Sequence, residues 1–359
     1  MTIVAYSRPF VIGVDTHART HTLAILAAPT GEVIASEQFP TTDAGMNRAI
    51  TRAGRRTGGE ADALWVIEGV AIYGARFASL VADTGYQVAE APRMSALANR
   101  GLGKSDPLDA RRIAAAVLPI DESRLRAPRA GDGVRTALRV LLAARRHMTT
   151  ERTACVNALT AHLRTFDLGI DARRQLTGKQ ISQTAAWRTR KEELSLVIAR
   201  AEAVRLAKRI TALDTELDEN KNRLESFILK SPAVALLGII GIGPVNAAVM
   251  YAAWSHLGRI RSEAAFAHLA GVAPIPASSG NTVRHRLNRG GDRQLNSALY
   301  MAVIVRMGHD PETRKYVERR RAEGRTSKEI QRCLHRYLAR KVYRTLNTAH
   351  LNPPVWLDI

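Results

Sequence analysis

Two short runs, FVIGVD at Phe10–Asp15 and ALWVIE at Ala63–Glu68, are apolar almost from end to end, and each closes on an acid. A strand with one wet face alternates apolar and polar residues, whereas a strand apolar at every position must be covered on both faces. The pair therefore demands a sheet sandwiched between helices, with a carboxylate where each strand leaves the core. Thr22–Ala28 and Glu32–Phe39 read as two further strands joined by the turn Pro29-Thr30-Gly31, and Gln87–Ala91 as a short fifth. Helices are expected over Asp43–Arg56 and over Ile72–Thr84, the latter stopping at Gly85.

Strands in succession followed by strand–helix alternation is the order of a ribonuclease-H-like mixed sheet, so residues 1–130 are expected to form an α/β domain of that kind. In such a sheet Asp15 projects from the first strand and Glu68 ends the fourth. A third acidic feature lies in GKSDPLDARRIAAA at Gly103–Ala116. Asp106 before Pro107 has the form of a helix N-cap, and Asp109 falls where a carboxylate favours free N–H groups. The same spacing puts both carboxylates on one helix face, where hard oxygen ligands suit Mg²⁺ and the neighbouring Lys104, Arg111 and Arg112 suit a phosphate. Asp15, Glu68, Asp106 and Asp109 brought together would repel unless cations neutralised them. Two Mg²⁺ ions about 4 Å apart would do that, and would activate a nucleophile and stabilise a leaving oxygen at a phosphodiester. On the plainer alternative all four acids are turn and cap residues. His17, beside Asp15, is either an outer-shell partner or simply exposed.

The charge balance favours the phosphodiester. The 359 residues carry 53 Lys and Arg against 33 Asp and Glu, a net charge of +20 and a pI near 10.8, which implies a polyanionic partner, with nucleic acid first. Cys155 and Cys333 can form neither a disulfide framework nor a zinc site by themselves. The first residues read as a strand-like run and not as a signal peptide, and no apolar stretch reaches the ~18 residues of a membrane span, so a soluble cytoplasmic protein is expected.

The middle third, residues 131–230, is expected to be a helical coiled-coil region. Asp132–Phe166 and Lys191–Leu229 are Gly-poor and helical, and Leu206, Ile210, Leu213, Leu217, Leu224 and Ile228 repeat near heptad spacing. That stripe makes either a helical hairpin or a dimer. Arg135, Arg139, Arg145, Arg146 and Arg152 form a flank that tracks a phosphate backbone or faces solvent. Leu168–Arg190 is polar and reads as the connection.

Residues 231–359 are expected to form a mostly helical domain. Ser231–Trp254 has the form of a helix-hairpin-helix around Gly241-Ile242-Gly243-Pro244, whose bare N–H groups would take a phosphate; a helical turn in a core would look alike. In AHLAGVAPIPASSGNTVRHRLNRGGDR, at Ala267–Arg293, Ser278-Ser279-Gly280 precedes Arg284, His285, Arg286, Arg289 and Arg293. A serine beside glycine is ordinarily a turn. Here the surrounding cations would hold a phosphodiester and ease formation of a serine alkoxide. Gly290-Gly291-Asp292 then opens a helix. No His/Asp triad is evident, which argues against peptidase or esterase chemistry, and basic helices follow to Asn347.

GVDTHA at Gly13–Ala18, VIEG at Val66–Gly69 and KSDPLDA at Lys104–Ala110 together resemble the amino-terminal RuvC-like domain of the insertion-sequence-110 family of transposases. LLGIIGIGPVNAA at Leu236–Ala248, FAHLAGVAPIPASSG at Phe266–Gly280 and NRGGDRQL at Asn288–Leu295 resemble its carboxy-terminal transposase domain. The resemblance implies a bacterial DEDD recombinase in which Asp15, Glu68, Asp106 and Asp109 bind Mg²⁺, with Mn²⁺ able to substitute. It also implies that a serine, mapping to Ser279 with Ser278 adjoining, attacks DNA and stays attached as a phosphoserine. Lys104, Arg111, Arg284, Arg286, Arg289 and Arg293 are the expected nucleic-acid contacts. The partners implied are double-stranded DNA (element ends and target), a structured bridge RNA acting as guide, and further copies of the chain in a dimer or tetramer, with no membrane. Base pairing would then supply sequence while the protein supplies charge and shape. With acids and serine in different domains, a composite site has to form by closure or between subunits. Two other functions fit the same residues: a RuvC-type junction nuclease or site-specific invertase using these acids, and a non-catalytic basic scaffold whose acids are caps.

Overall fold

The structure is a computed structural model describing residues 2–92, 105–129, 133–280, 285–286, 288 and 290–352. Lys104, Arg284 and Arg289 lie outside the described residues. The chain divides into two units, Met1–Gly131 with Ser255–Ser262, and Asp132–Trp254 with Glu263–Ile359.

The first unit is built on five strands: β1 (Phe10–Thr16), β2 (Thr20–Ala27), β3 (Val33–Pro40), β4 (Leu64–Ile67) and β5 (Val88–Glu90), ordered β3-β2-β1-β4-β5. β1, β2 and β3 pair antiparallel in a meander, while β4 and β5 add parallel to the other side of β1. Besides the single turn Val4–Ser7, three longer helices cover it among the described residues: α1 (Asp43–Arg56), α2 (Ala75–Asp83) and α3 (Asp106–Ala115). Successive strand residues face opposite sides, and the buried residues sort accordingly. Ile12, Val14, Leu23, Ile25, Trp65 and Ile67 pack with Met46, Ala49 and Phe77 of α1 and α2. Val11, Ala24, Leu26, Leu64 and Val66 pack with Ala110, Ile113 and Ala114 of α3. Both faces of β1 and β4 are covered, as the unbroken apolar runs require.

The expected helix over Ile72–Thr84 starts only at Ala75. Gly69, with φ +61°, turns the chain after β4, and a side chain at Gly74 would run into the carbonyl oxygen of Glu68, so residues 69–74 form a tight turn. The stretch Ser255–Ser262 belongs to this unit too: Arg259 pairs with Glu90 at 3.1 Å, and both are largely buried.

The second unit is helical. α4 (Gly133–Thr165) and α6 (Leu194–Leu229) pack along each other. Ile210, Leu213, Leu224 and Ile228 are completely buried in that one chain. The heptad stripe is thus used inside a helical hairpin, which leaves it no face for a dimer. The polar connection holds a short helix, α5 (Gly178–Ala185), opened by a capping box between Thr177 and Gln180. α7 (Pro244–Trp254), α8 (Glu263–Leu269), the two-residue strands β6 (Ile275–Pro276) and β7 (His285–Arg286), α9 (Arg293–His309), α10 (Pro311–Ala322) and α11 (Ser327–Leu351) complete the chain.

The first arm of the expected helix-hairpin-helix is a 3₁₀ helix, Pro232–Gly238, and not an α-helix. Its glycine turn has a packing cause. Gly241 has φ +88°, and a Cβ there would sit 2.6 Å from the carbonyl oxygen of Ala302 in α9. Only glycine permits that backbone contact, so the turn is explained without a phosphate. Cys155 and Cys333 are free thiols. Among the described residues no helix is long and apolar enough to cross a membrane.

Candidate functional site

Strand parity carries Asp15 and Glu68 onto the α3 side of the sheet. Val11, Gly13 and Asp15 alternate on that side of β1, and Leu64, Val66 and Glu68 continue it along β4. Val14 pairs with Ile67 in the parallel ladder, so the next step sets Asp15 beside Glu68. The Glu68 backbone is fixed there: its N–H donates to the Val14 carbonyl, and the Thr16 hydroxyl donates to the Glu68 carbonyl, each at 3.0 Å.

Gly13 lets α3 lie directly on β1. A Cβ at Gly13 would stand 2.2 Å from the carbonyl oxygen of Ala110 and 2.6 Å from the backbone nitrogen of Ala114. The small, fully buried Ala110 and Ala114 face it across this contact. α3 therefore meets the sheet backbone to backbone, and its first turn, with Asp106 and Asp109, is carried over the end of β1.

Asp15 and Asp106 meet there around His17. Asp15 is 6% exposed, and its Oδ2 lies 3.2 Å from His17 Nε2. The same imidazole nitrogen lies 3.7 Å from Oδ1 of Asp106. Asp15, His17 and Asp106 each offer one ligand atom within 4.8 Å of the others. Oδ2 of Asp106 accepts from Gln38 Nε2 at 3.3 Å, and Gln38 also donates to the Thr22 hydroxyl at 3.2 Å. Asp109 pairs with Arg112 at 3.0 Å.

The N-cap expectation for Asp106 is corrected. The cap residue is Ser105, whose side chain makes no capping hydrogen bond, and Asp106 is the first helical residue, engaged with Gln38 and His17.

The electrostatics register the crowding. Burial raises the Asp15 carboxyl above its ordinary range; His17 opposes the shift, and the negative charges of Asp106 and Asp109 add to it. The Glu68 carboxyl is raised as well, first by the protein around it and then by Asp15 and Asp109, although its outward position leaves water to screen much of this. Asp15, His17 and Asp106 bring their ligand atoms together beside a buried carboxyl that its acidic neighbours raise, and a divalent cation fits such a place.

Gln38 joins the site without having been singled out, and His17, one of whose two expected roles was partner to Asp15, takes that role. Parity exposes Gln38, because its register partner is Thr22, itself opposite Asp15. Arg111 is exposed on α3.

In the second unit Ser278 and Ser279 lie exposed just beyond β6, which pairs with β7 through Ile275–Arg286 and Pro276–His285. Arg286 is exposed on β7, and Arg293 is exposed at the start of α9, which Asp292 caps by accepting from the N–H groups of Gln294 and Leu295. Gly291 abuts Gly271, a Cβ on Gly291 falling 2.4 Å from the Gly271 nitrogen, and this close approach ties the start of α9 to the end of α8.

Comparison with known proteins gives two matching family models. Residues 12–167 match the DEDD transposase model of the IS110 type, and residues 233–318 match the transposase IS116/IS110/IS902 family. A 42 kDa protein of insertion element IS900 from Mycobacterium paratuberculosis is 29% identical over 273 residues, covering 63% of this chain and 67% of its own length. A 43.6 kDa protein of insertion element IS110 from Streptomyces coelicolor is 25% identical over 347 residues, covering 83% and 84%.

Proposed function

This chain belongs to the IS110 family of DEDD transposases and is therefore a DNA-cleaving and DNA-transferring enzyme, and we propose that it works through a divalent-cation site in its first unit and a serine nucleophile in its second. The observation that carries this reading is the meeting of Asp15 and Asp106 around His17, with Asp109 near enough to add to the rise of both the Asp15 and Glu68 carboxyls. The 3-2-1-4-5 sheet with its antiparallel meander and parallel extension supports assigning residues 1–130 a RuvC-like fold. Residues 131–230 act as a helical spacer, and residues 231–359 carry the serine.

Asp15, Glu68, Asp106 and Asp109 would hold Mg²⁺, probed equally well with Mn²⁺. Bound there, the cation supplies Lewis-acid stabilisation of charge on the phosphoryl oxygens. Asp15 and Asp106 orient the site, and Gln38 fixes the Asp106 carboxylate by its hydrogen bond. The Ser279 hydroxyl attacks the phosphorus, loses its proton, and forms one P–O bond as the strand's own P–O bond breaks and its oxygen leaves with a proton. One phosphodiester replaces another, so strands can be resealed without ATP. Arg286, Arg293 and Arg111, with Lys104, Arg284 and Arg289, supply phosphate contacts. A guide RNA supplies sequence by pairing, which fits a net charge of +20 on a chain without a base-reading motif among its described elements. Further copies of the chain would complete the assembly.

The test is to trap the product of a Mg²⁺ reaction on a denaturing gel and map it by mass spectrometry. A strand attached to the protein through Ser279 is expected. Attachment through Ser278 moves the nucleophile by one residue, and strands with only free ends replace the recombinase with a junction nuclease.

Affinity for DNA should drop roughly a thousandfold between about 50 and 200 mM salt, as several displaced counterions require. Titration by fluorescence anisotropy measures it, and a flat response contradicts the role given to the cations.

A further inference from the structure

The second unit holds a cavity of about 460 Å³ between the loop after α8, the base of the β6–β7 hairpin and the first turns of α11. Its volume lies in the range of small-ligand sites. The cavity has two kinds of wall. Val272, Ala273 and Pro274 make one side apolar, and Tyr337 adds an aromatic ring. Lys328 and Arg332, four residues apart on one face of α11, join Arg336 and Arg286 to make the other side cationic. No carboxylate lines it among the described residues.

Two lining side chains also carry buried nitrogens without a hydrogen-bond partner, Nε2 of His335 and one terminal nitrogen of Arg336. Burial also lowers the pKa of His335, which keeps its imidazole neutral and able to stack or to hydrogen-bond.

A phosphate alone would need the cations and gain nothing from the apolar side. An apolar ligand alone would leave Lys328, Arg332 and Arg286 unused, Arg336 lying 3.9 Å from Glu263. A nucleotide satisfies both, with a flat base for the apolar and aromatic wall and an anionic phosphate for the arginines and lysine. We propose that this cavity holds one unpaired nucleotide of a bound strand, its base inserted against Val272, Pro274 and Tyr337 and its phosphate on Arg332 and Lys328. The proposal rests on the reading that the second unit handles the strand, and it adds a base-accepting pocket beneath the hairpin that carries Ser279.

The chain's two cysteines make the test direct. Cys333 lines the cavity, while Cys155 packs against the core of the α4–α6 hairpin. Alkylation of both thiols by N-ethylmaleimide is followed by mass spectrometry on the full chain without metal, so that failure of the cleavage chemistry leaves the measurement intact. Single-stranded deoxy- and ribo-oligonucleotides are compared with the same strands carrying abasic positions, and with thymidine 5′-monophosphate.

Intact strands of at least one of the two sugars are expected to slow alkylation of Cys333 severalfold and leave Cys155 unchanged. Abasic strands should bind the wild type roughly five- to a hundredfold more weakly, the usual effect of losing one stacked base. Arg332→Glu, an exposed change whose folding is checked by its melting curve, should abolish the protection. Three results would each overturn the proposal: no protection of Cys333 by any strand, equal protection by abasic strands, or full protection by the mononucleotide alone. The second leaves a backbone-binding patch in place of a base pocket, and the third a site for a free nucleotide.

Discussion

Asp15→Asn will lower the rate of strand cleavage on the order of a thousandfold or more, the equivalent of roughly 4 kcal/mol of transition-state stabilisation, and will make the metal-free protein more stable. The two effects have one cause. Asp15 is 6% exposed and faces two more carboxylates, which together with its burial raise its pKa. A carboxyl that binds its proton more tightly folded than unfolded costs nothing in strong acid, where both states are protonated. The cost appears as pH rises past the ordinary value of 3.8 and is complete above the raised value. At neutral pH the wild type carries that cost in full. The amide of the variant keeps an oxygen to accept from His17 and carries no charge, so the variant should melt higher in EDTA, and the two melting curves should converge as the pH falls below the ordinary carboxylate range. Mg²⁺ reverses the order by stabilising the wild type through binding the folded state and doing little for the variant. Melting curves with EDTA and with Mg²⁺, beside cleavage assays, measure all of this. Equal Mg²⁺ stabilisation of both proteins, or unimpaired cleavage by the variant, would remove Asp15 from the metal site.

Most of this site can be read from the chain because it rests on local patterns. The unbroken runs at Phe10–Asp15 and Ala63–Glu68 locate β1 and β4, and Asp43–Arg56 is helical over the expected residues. What stayed hidden depended on contacts between elements. The part played by Gln38 follows only once β3 is registered on β2, which pairs it with Thr22. His17 looks exposed as a lone residue, and gains its role because α3 brings Asp106 within 3.7 Å. The stripe from Leu206 to Ile228 fits a hairpin and a dimer equally well, until the long connection folds α6 back on α4. The capping box of α5 is legible in Thr177 and Gln180, but its polar surroundings read as a loop. Gly241 looks like a phosphate-binding glycine in sequence, and only the nearness of Ala302 shows that packing demands it.

Gly13→Ala should disable the site without touching any acid. The added methyl meets the carbonyl oxygen of Ala110 at 2.2 Å and the nitrogen of Ala114 at 2.6 Å. Both are main-chain atoms of α3, so no side chain can rotate out of the way, and either the helix lifts or the strand bends. Overpacking a core typically costs about 1–3 kcal/mol, and a clash with backbone belongs at or above the upper end of that range. Asp106 lies one turn ahead of Ala110 on the same helix, so a helix displaced at Ala110 carries Asp106 and Asp109 away from Asp15. Cleavage should be lost together with stabilisation by Mg²⁺, even under conditions where the variant remains folded. Gly308→Ala is the control. It lies exposed near the end of α9 with open space around its would-be Cβ, so alanine there should be neutral or should stabilise by up to about 1 kcal/mol, the full helix-propensity difference between the two residues. Denaturant unfolding of the two variants, in parallel with Mg²⁺ titration, separates the cases. A Gly13→Ala protein that unfolds with the wild type and still responds to Mg²⁺ would show that the approach of α3 to β1 does not hold the acids together.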